Sequence, residues 1–96
     1  MTIIYKERPL IKITINENID GVKDRFTITK DLFDNISTEK QQLLVEMLNN
    51  NEDFAIMNDF GMCRKCHLDN YEMDDKSVTV CFHQYGICNV KIKGKK

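Results

Sequence analysis

Ninety-six residues, 42% of them hydrophobic and 30% charged, are enough for one folded domain with a single core and too hydrophobic for a disordered chain. Fourteen basic and fifteen acidic residues leave a formal net charge of -1, which excludes a global attraction to nucleic acid or anionic membrane. No apolar run reaches the roughly 20 residues of a membrane span, and MTIIYKERPLIK lacks the long apolar centre and cleavage site of an export signal, so the expected compartment is the cytoplasm.

From Pro9 the segment LIKITIN alternates, with Ile11, Ile13 and Ile15 on one face and Lys12, Thr14 and Asn16 on the other, the period of a half-buried strand. Asp20-Gly21 is a dipeptide favoured in two-residue hairpin turns. Folding there predicts Ile19 opposite Val22, Glu17 opposite Asp24, Ile15 opposite Phe26, Thr14 opposite Thr27 and Ile13 opposite Ile28. A short helical turn is expected over Lys30 to Ile36, with Leu32, Phe33 and Ile36 inward. Thr38 with Gln41 three residues on resembles a capping box, and Leu43, Leu44, Met47 and Leu48 then recur at helical spacing as a core face. Asn49 to Asn51 end that helix, because asparagine tolerates the left-handed conformation common at helix C-termini.

Phe54 to Asn58 reads as a short strand leading into the cysteine segment. The stretch KSVTVCFHQYGICNVKIK, rich in β-branched and aromatic residues around Gly86, reads as a second hairpin. The predicted whole is an α+β fold over residues 1–96 as a single domain. It has an N-terminal β-hairpin and one main α-helix in residues 1–52, and a metal-stapled C-terminal β-hairpin in residues 53–96.

Cys63, Cys66, Cys81 and Cys88 give the spacing C-x2-C-x14-C-x6-C, with His67 and His83 interspersed. A reducing compartment disfavours disulfides and shifts paired cysteines toward metal binding, and a chain this short gains from a staple. The expected ligands of one structural zinc are Cys63, Cys66, Cys81 and Cys88, with His83 the alternate fourth; His67 is left to support a ligand or to face water. Loop parity decides the set. A Tyr85-Gly86 loop places His83 opposite Cys88 on the face of Cys81, whereas a Gln84-Tyr85-Gly86 loop turns Cys88 away unless a bulge re-aims it.

This arrangement over residues 54–93 resembles a zinc ribbon, in which a CxxC knuckle and a β-hairpin clamp one zinc, although a second CxxC is missing. Three other chemistries compete for the same residues. CRKCH matches the c-type haem attachment pattern, which belongs to exported proteins. A thioredoxin-like pair would need Cys63 at a helix N-terminus, and HLDNYEMDDK is too short and acidic for that helix. The third is four incidental thiols in a core.

A zinc closed by four protein ligands adds folding energy and leaves no position for an activated water, and the chain contains no HExxH, GxxxxGK or GxSxG pattern. No enzyme is expected. Asp69, Glu72, Asp74 and Asp75 lack the spacing and glycine of an EF-hand and read as a solvated loop. The functional expectation is a small, cytoplasmic, regulatory, zinc-stabilised protein-protein interaction module, an adaptor or inhibitor acting on a larger protein. Its contacts would come from the acidic loop, Tyr71, Phe82 or Tyr85. The alternative is a nucleic-acid-binding zinc ribbon using Arg64, Lys65 and the strip Lys91 to Lys96, for which residues 63–96 carry seven basic and four acidic side chains. A second alternative is a thiol redox protein using Cys63/Cys66.

Overall fold

A computed structural model describes residues 1–17 and 24–88, so the Asp20-Gly21 turn, the Ile19 and Val22 pair and the Lys91 to Lys96 strip lie outside the described residues. The elements follow in the order β1 (Thr2–Tyr5), β2 (Arg8–Lys12), β3 (Ile15–Glu17), β4 (Asp24–Thr29), α1 (Lys30–Asp34), α2 (Thr38–Asn49), β5 (Phe54–Met57), β6 (Cys63–Met73) and β7 (Ser77–Cys88). All seven strands form one antiparallel sheet in the order β2-β1-β5-β6-β7-β4-β3.

The two rims of this sheet, β2 and β3, are consecutive in the chain and separated by Ile13 and Thr14 alone. Six interstrand gaps of about 4.8 Å would hold the rims of a flat sheet about 29 Å apart. Three Cα steps from Lys12 to Ile15 span about 11 Å at most. The sheet is therefore curled, as a half-barrel with α2 packed on its concave side. This corrects the expected α+β fold class with its zinc-ribbon-like hairpin: the molecule is predominantly antiparallel sheet. β5 lies between β1 and β6, so residues on either side of position 52 share one sheet.

Ile11 and Ile13 are buried, Ile15 packs beside the core, and Lys12 and Thr14 are exposed, as the alternation predicts, but the segment is not one strand. At Ile13 the backbone pairs with the chain start: the Ile13 N–H donates to the Met1 carbonyl at 2.7 Å and the Met1 ammonium donates to the Ile13 carbonyl at 3.0 Å. Upstream residues then pair with β1 and downstream ones with β4. Ile15 opposite Phe26 and Glu17 opposite Asp24 form as predicted. The ladder stops at Ile15 and Phe26, so Ile13–Ile28 and Thr14–Thr27 are not among its pairs; on the other edge of β4, Ile28 aligns with Val78 and Thr27 with Thr79, their hydroxyls 3.2 Å apart. The β1–β2 hairpin closes on Lys6 and Glu7, both at positive φ (52° and 63°), a primed two-residue turn made without the usual Asn or Gly.

Ser37, not Thr38, caps α2, its hydroxyl accepting from the Lys40 N–H at 3.3 Å, while the Gln41 side chain donates to the Phe33 carbonyl at 2.8 Å. The capping signal was displaced by one residue because Ser37 already holds the extended backbone that a cap requires (φ -63°, ψ 156°). Leu44, Met47 and Leu48 are buried and Leu43 packs beside them, as the helical spacing predicts, whereas Leu32 is exposed. Asn51 adopts the left-handed conformation after the helix (φ 53°). Beyond it the Tyr5 hydroxyl hydrogen-bonds Glu52, tying β1 to the chain leaving α2, and burial together with that carboxylate pushes the Tyr5 phenol up.

Between α2 and the concave face lie Phe26, Phe54 and Phe82, with ring centroids 5.5–5.9 Å apart and edges tilted onto faces. Full burial of such a ring contributes about 1.5–3 kcal/mol by area alone. An apolar cleft of about 280 Å³ remains where Val45 and Leu48 meet Met73 and Val78.

The expected turn at Gly86 is absent. β7 runs through Gly86 to Cys88, and the reversal comes earlier, where Asp74 Oδ1 accepts from the N–H groups of Lys76 and Ser77 at 2.7 and 2.8 Å. Those two donors hold the Asp74 carboxyl below the usual carboxylate range. Gly86 instead pairs with Lys65 while Gln84 pairs with Cys66, which leaves Tyr85 as the extra residue of a β-bulge. Both loop parities considered for a Gly86 turn therefore fall away. No helix among the described residues is long and apolar enough to cross a membrane.

Candidate functional site on the helix-free face

Side-chain alternation along β5 and β6 sorts the residues of interest onto two faces. Phe54 and Ile56 point toward α2, and Ala55 and Met57 point away. Their partners follow: Cys66, opposite Phe54, belongs to the main core, and Cys63, opposite Met57, packs with Ile4 and Ala55 on the far side. The knuckle residues Cys63 and Cys66 thus lie on opposite faces of the sheet. Cys66 is fully buried, its Sγ donating to the Arg64 carbonyl at 3.7 Å, and burial pushes its thiol up to about 12. Cys81 aligns with Asn70, remote in register from Cys63, whose partner is Cys88. His83 aligns with His67.

A CxxC knuckle needs both sulfurs on one ion at about 2.3 Å, so the strand conformation of residues 63–66 does not fit a zinc ribbon. Among the described residues no three His, Cys, Asp or Glu side chains are grouped to hold a metal.

The helix-free face carries a different constellation. Cys66 and Leu68 face inward, so His67 faces outward; Phe82 faces inward, so His83 does as well, directly across from His67 with ring centroids 5.2 Å apart. A carboxylate only accepts, so each imidazole donates from Nδ1. His67 Nδ1 donates to Asp53 Oδ1 at 2.7 Å, and His83 Nδ1 donates to the two Asp69 oxygens at 3.0 and 3.2 Å. Tyr85 completes the group by donating its hydroxyl to Asp53 Oδ2 at 2.8 Å, with its ring 6.4 Å from that of His83.

The hydrogen bond from His67 holds the Asp53 carboxyl below its usual range, with burial opposing and Tyr85 reinforcing. The same bond to Asp53 raises the Tyr85 phenol. With Nδ1 committed as donor, each neutral ring presents Nε2 as an acceptor. Two imidazole acceptors and two carboxylates then share one patch of sheet. Beside it a shallow cavity of about 310 Å³ is lined by Tyr85, Asp53, Ala55, Lys65, Ile4 and Cys88.

No protein-family model, curated protein or solved structure matches the chain.

Of the contact residues expected from the sequence, Tyr85 lies in this constellation and half-exposed, Tyr71 is partly exposed on β6, and Phe82 is wholly buried in the core. Asp69 and Glu72 stand on β6 itself and not in a loop. Arg64 and Lys65, neighbours in one strand, project to opposite faces. Sequence reasoning missed Asp53 entirely and gave Asp69 no histidine partner. The signal was present in the alternations His67-x-Asp69 and His83-x-Tyr85, but it is legible only once both segments are read as strands.

Proposed function

We propose that this chain is a non-catalytic protein-binding module, an adaptor or inhibitor, that lays its helix-free sheet face against an arginine- or lysine-bearing surface of a larger protein. The observation that carries the reading is the acceptor array of His67, His83, Asp53 and Asp69, locked by its own hydrogen bonds before any partner arrives. Side chains already held in place lose little further freedom on binding, and an aromatic at the centre of a patch is a common anchor. Charge supports the same partner chemistry. On this face Asp53 and Asp69 stand in the constellation and Glu72, paired with Thr79, shares their side of the sheet, against Lys65 at the cavity and Arg25 on β4. Such a patch favours guanidinium and ammonium groups and repels phosphate, which is why nucleic acid is the weaker reading. A cytoplasmic setting belongs to the same proposal.

The test is capture from nuclease-treated cell extract with the wild type, with His67→Ala/His83→Ala and with Glu72→Lys, followed by affinity measurement with the purified partner. A protein whose affinity falls about ten-fold or more in both variants, each retaining the wild-type melting temperature, supports the reading. A partner bound equally by all three overturns this face as the interface. Tighter binding of a single-stranded oligonucleotide than of any protein overturns the partner class.

A further inference from the structure

The pairing of β6 with β7 sets Cys63 directly opposite Cys88. Both side chains pack in the same small cluster with Ile4, Ala55 and Met57, on the side of the sheet away from α2. Directly opposed residues of an antiparallel pair have Cα atoms about 4.5–5.5 Å apart. Disulfides span about 4.4–6.8 Å between Cα atoms, so register alone places this pair within bonding range without backbone movement. All four cysteines are thiols in this structure. Accessibility differs within the pair: Cys63 is 5% exposed, whereas Cys88 is half-buried and lines the cavity beside Tyr85 and Asp53.

From this juxtaposition we infer that Cys63 and Cys88 are a thiol modification site, which a low-molecular-weight disulfide converts reversibly to a cross-strand disulfide. The Cys88 thiolate, reached through the cavity, attacks one sulfur of the small disulfide RSSR. The RS–SR bond breaks, one thiolate RS⁻ leaves, and Cys88 carries a mixed disulfide. The Cys63 thiolate then attacks Cys88 Sγ, breaking the Cys88 S–SR bond and releasing the second RS⁻. The two protons lost by the cysteines end on the two leaving thiolates, and the two electrons lost by the protein reduce RSSR to two RSH. An excess of RSH reverses both steps.

Cys66 and Cys81 are outside this chemistry, Cys66 on the opposite face within the core and Cys81 aligned with Asn70 near the middle of β7. The CxxC spacing suggests a pair between Cys63 and Cys66; the fold pairs Cys63 across the sheet instead. This inference does not depend on the binding reading. It does place the bond at the edge of the same face, so oxidation also gives a handle on that surface.

The experiment is incubation of the whole folded chain with oxidised glutathione, followed by alkylation of remaining thiols, proteolysis and mass spectrometry. The expected result is loss of two hydrogen atoms per chain with a single cross-linked peptide pair, Cys63 to Cys88, restored to thiols by excess reduced glutathione. Cys88→Ser and Cys63→Ser should each abolish the internal bond, with Cys63→Ser accumulating the mixed disulfide on Cys88. Cys81→Ser should leave the bond intact. Because Cys63→Ser places a hydroxyl in an apolar cluster, peptide mapping of the wild type stands as an independent readout. A wild-type product joining Cys81 or Cys66, or a mixed disulfide on Cys88 that never resolves, overturns the inference. So does the same mixture of pairings in native buffer as in concentrated urea, since that would show that strand register does not direct the bond.

Discussion

His67 and His83 face each other across β6 and β7, their rings 5.2 Å apart and each anchored through Nδ1 to its own aspartate. The two Nδ1–carboxylate bonds select the Nδ1–H tautomer in each neutral ring and leave Nε2 outside those bonds. Asp53 links His67 with Tyr85 by accepting from both at once, and the His83–Asp69 pair lies alongside.

That link has a pH signature. Asp53 is held below its ordinary value of 3.8 by His67 first and by Tyr85, and Asp74 below 3.8 by the Lys76 and Ser77 amides. For a carboxyl depressed in the folded state, the unfolded chain binds more protons between the two pKa values. The stabilisation is therefore complete above 3.8 and is lost as pH falls through the folded value. Melting temperature measured from pH 6 down to pH 2 should fall below about pH 4, and Asp53→Asn should fall less steeply. An unchanged slope in Asp53→Asn would remove Asp53 from the acid transition.

Phe82→Ala should cost about 3–5 kcal/mol in urea-induced unfolding, a large part of the 5–15 kcal/mol that holds a typical domain. The ring is fully buried and touches both Phe26 and Phe54, so its removal leaves a cavity bounded by two strands and a facing ring. Phe82→Leu should cost less. A loss under 1 kcal/mol in the alanine variant would contradict the core placement, and would return Phe82 to the surface role that the sequence suggested.

Capping separates two readings of one short stretch. Ser37→Ala should cost about 1 kcal/mol, because Ser37 satisfies the Lys40 amide, whereas Thr38→Ala should change stability by about 0.5 kcal/mol at most. Chemical denaturation of both variants is the check, and the reverse order of losses would restore the cap at Thr38.

A chelator should leave the melting temperature unchanged. A zinc knuckle would require Cys66 to leave the core and turn through the sheet to meet Cys63, exposing a site that borders Phe54 and Leu68. Metal analysis of protein expressed in zinc-supplemented medium is the companion measurement. One tightly held zinc per chain, with a melting temperature that falls on chelation, would show that residues 63–66 take another conformation.

The parts legible in the sequence were those decided locally. Leu44, Met47 and Leu48 declare a helix by spacing, Asn51 marks its end by tolerating positive φ, and the register of Ile15 with Phe26 follows from apolar matching. What stayed hidden was decided by partners distant in the chain. β1 carries no recognisable turn signal because Lys6 and Glu7 adopt positive φ without Gly or Asn, a strain that the paired strands must hold. Gly86 looked like a turn because glycine marks turns and bulges alike, while the true reversal was signalled by Asp74 at the head of Asp-Asp-Lys-Ser. A turn at Gly86 implies a loop knuckle at Cys63 and Cys66, whereas the strand that runs through them puts their side chains on opposite faces.

The crossing at Ile13 and Thr14 makes the two margins of the half-barrel interdependent. A residue removed there would tug β2 out of step with β1 and β3 out of step with β4 together, so damage at one margin propagates to the other. β1 must also wait for β5, some fifty positions downstream, before its second neighbour exists. The opening stretch of the chain therefore acts as the clasp that closes the sheet.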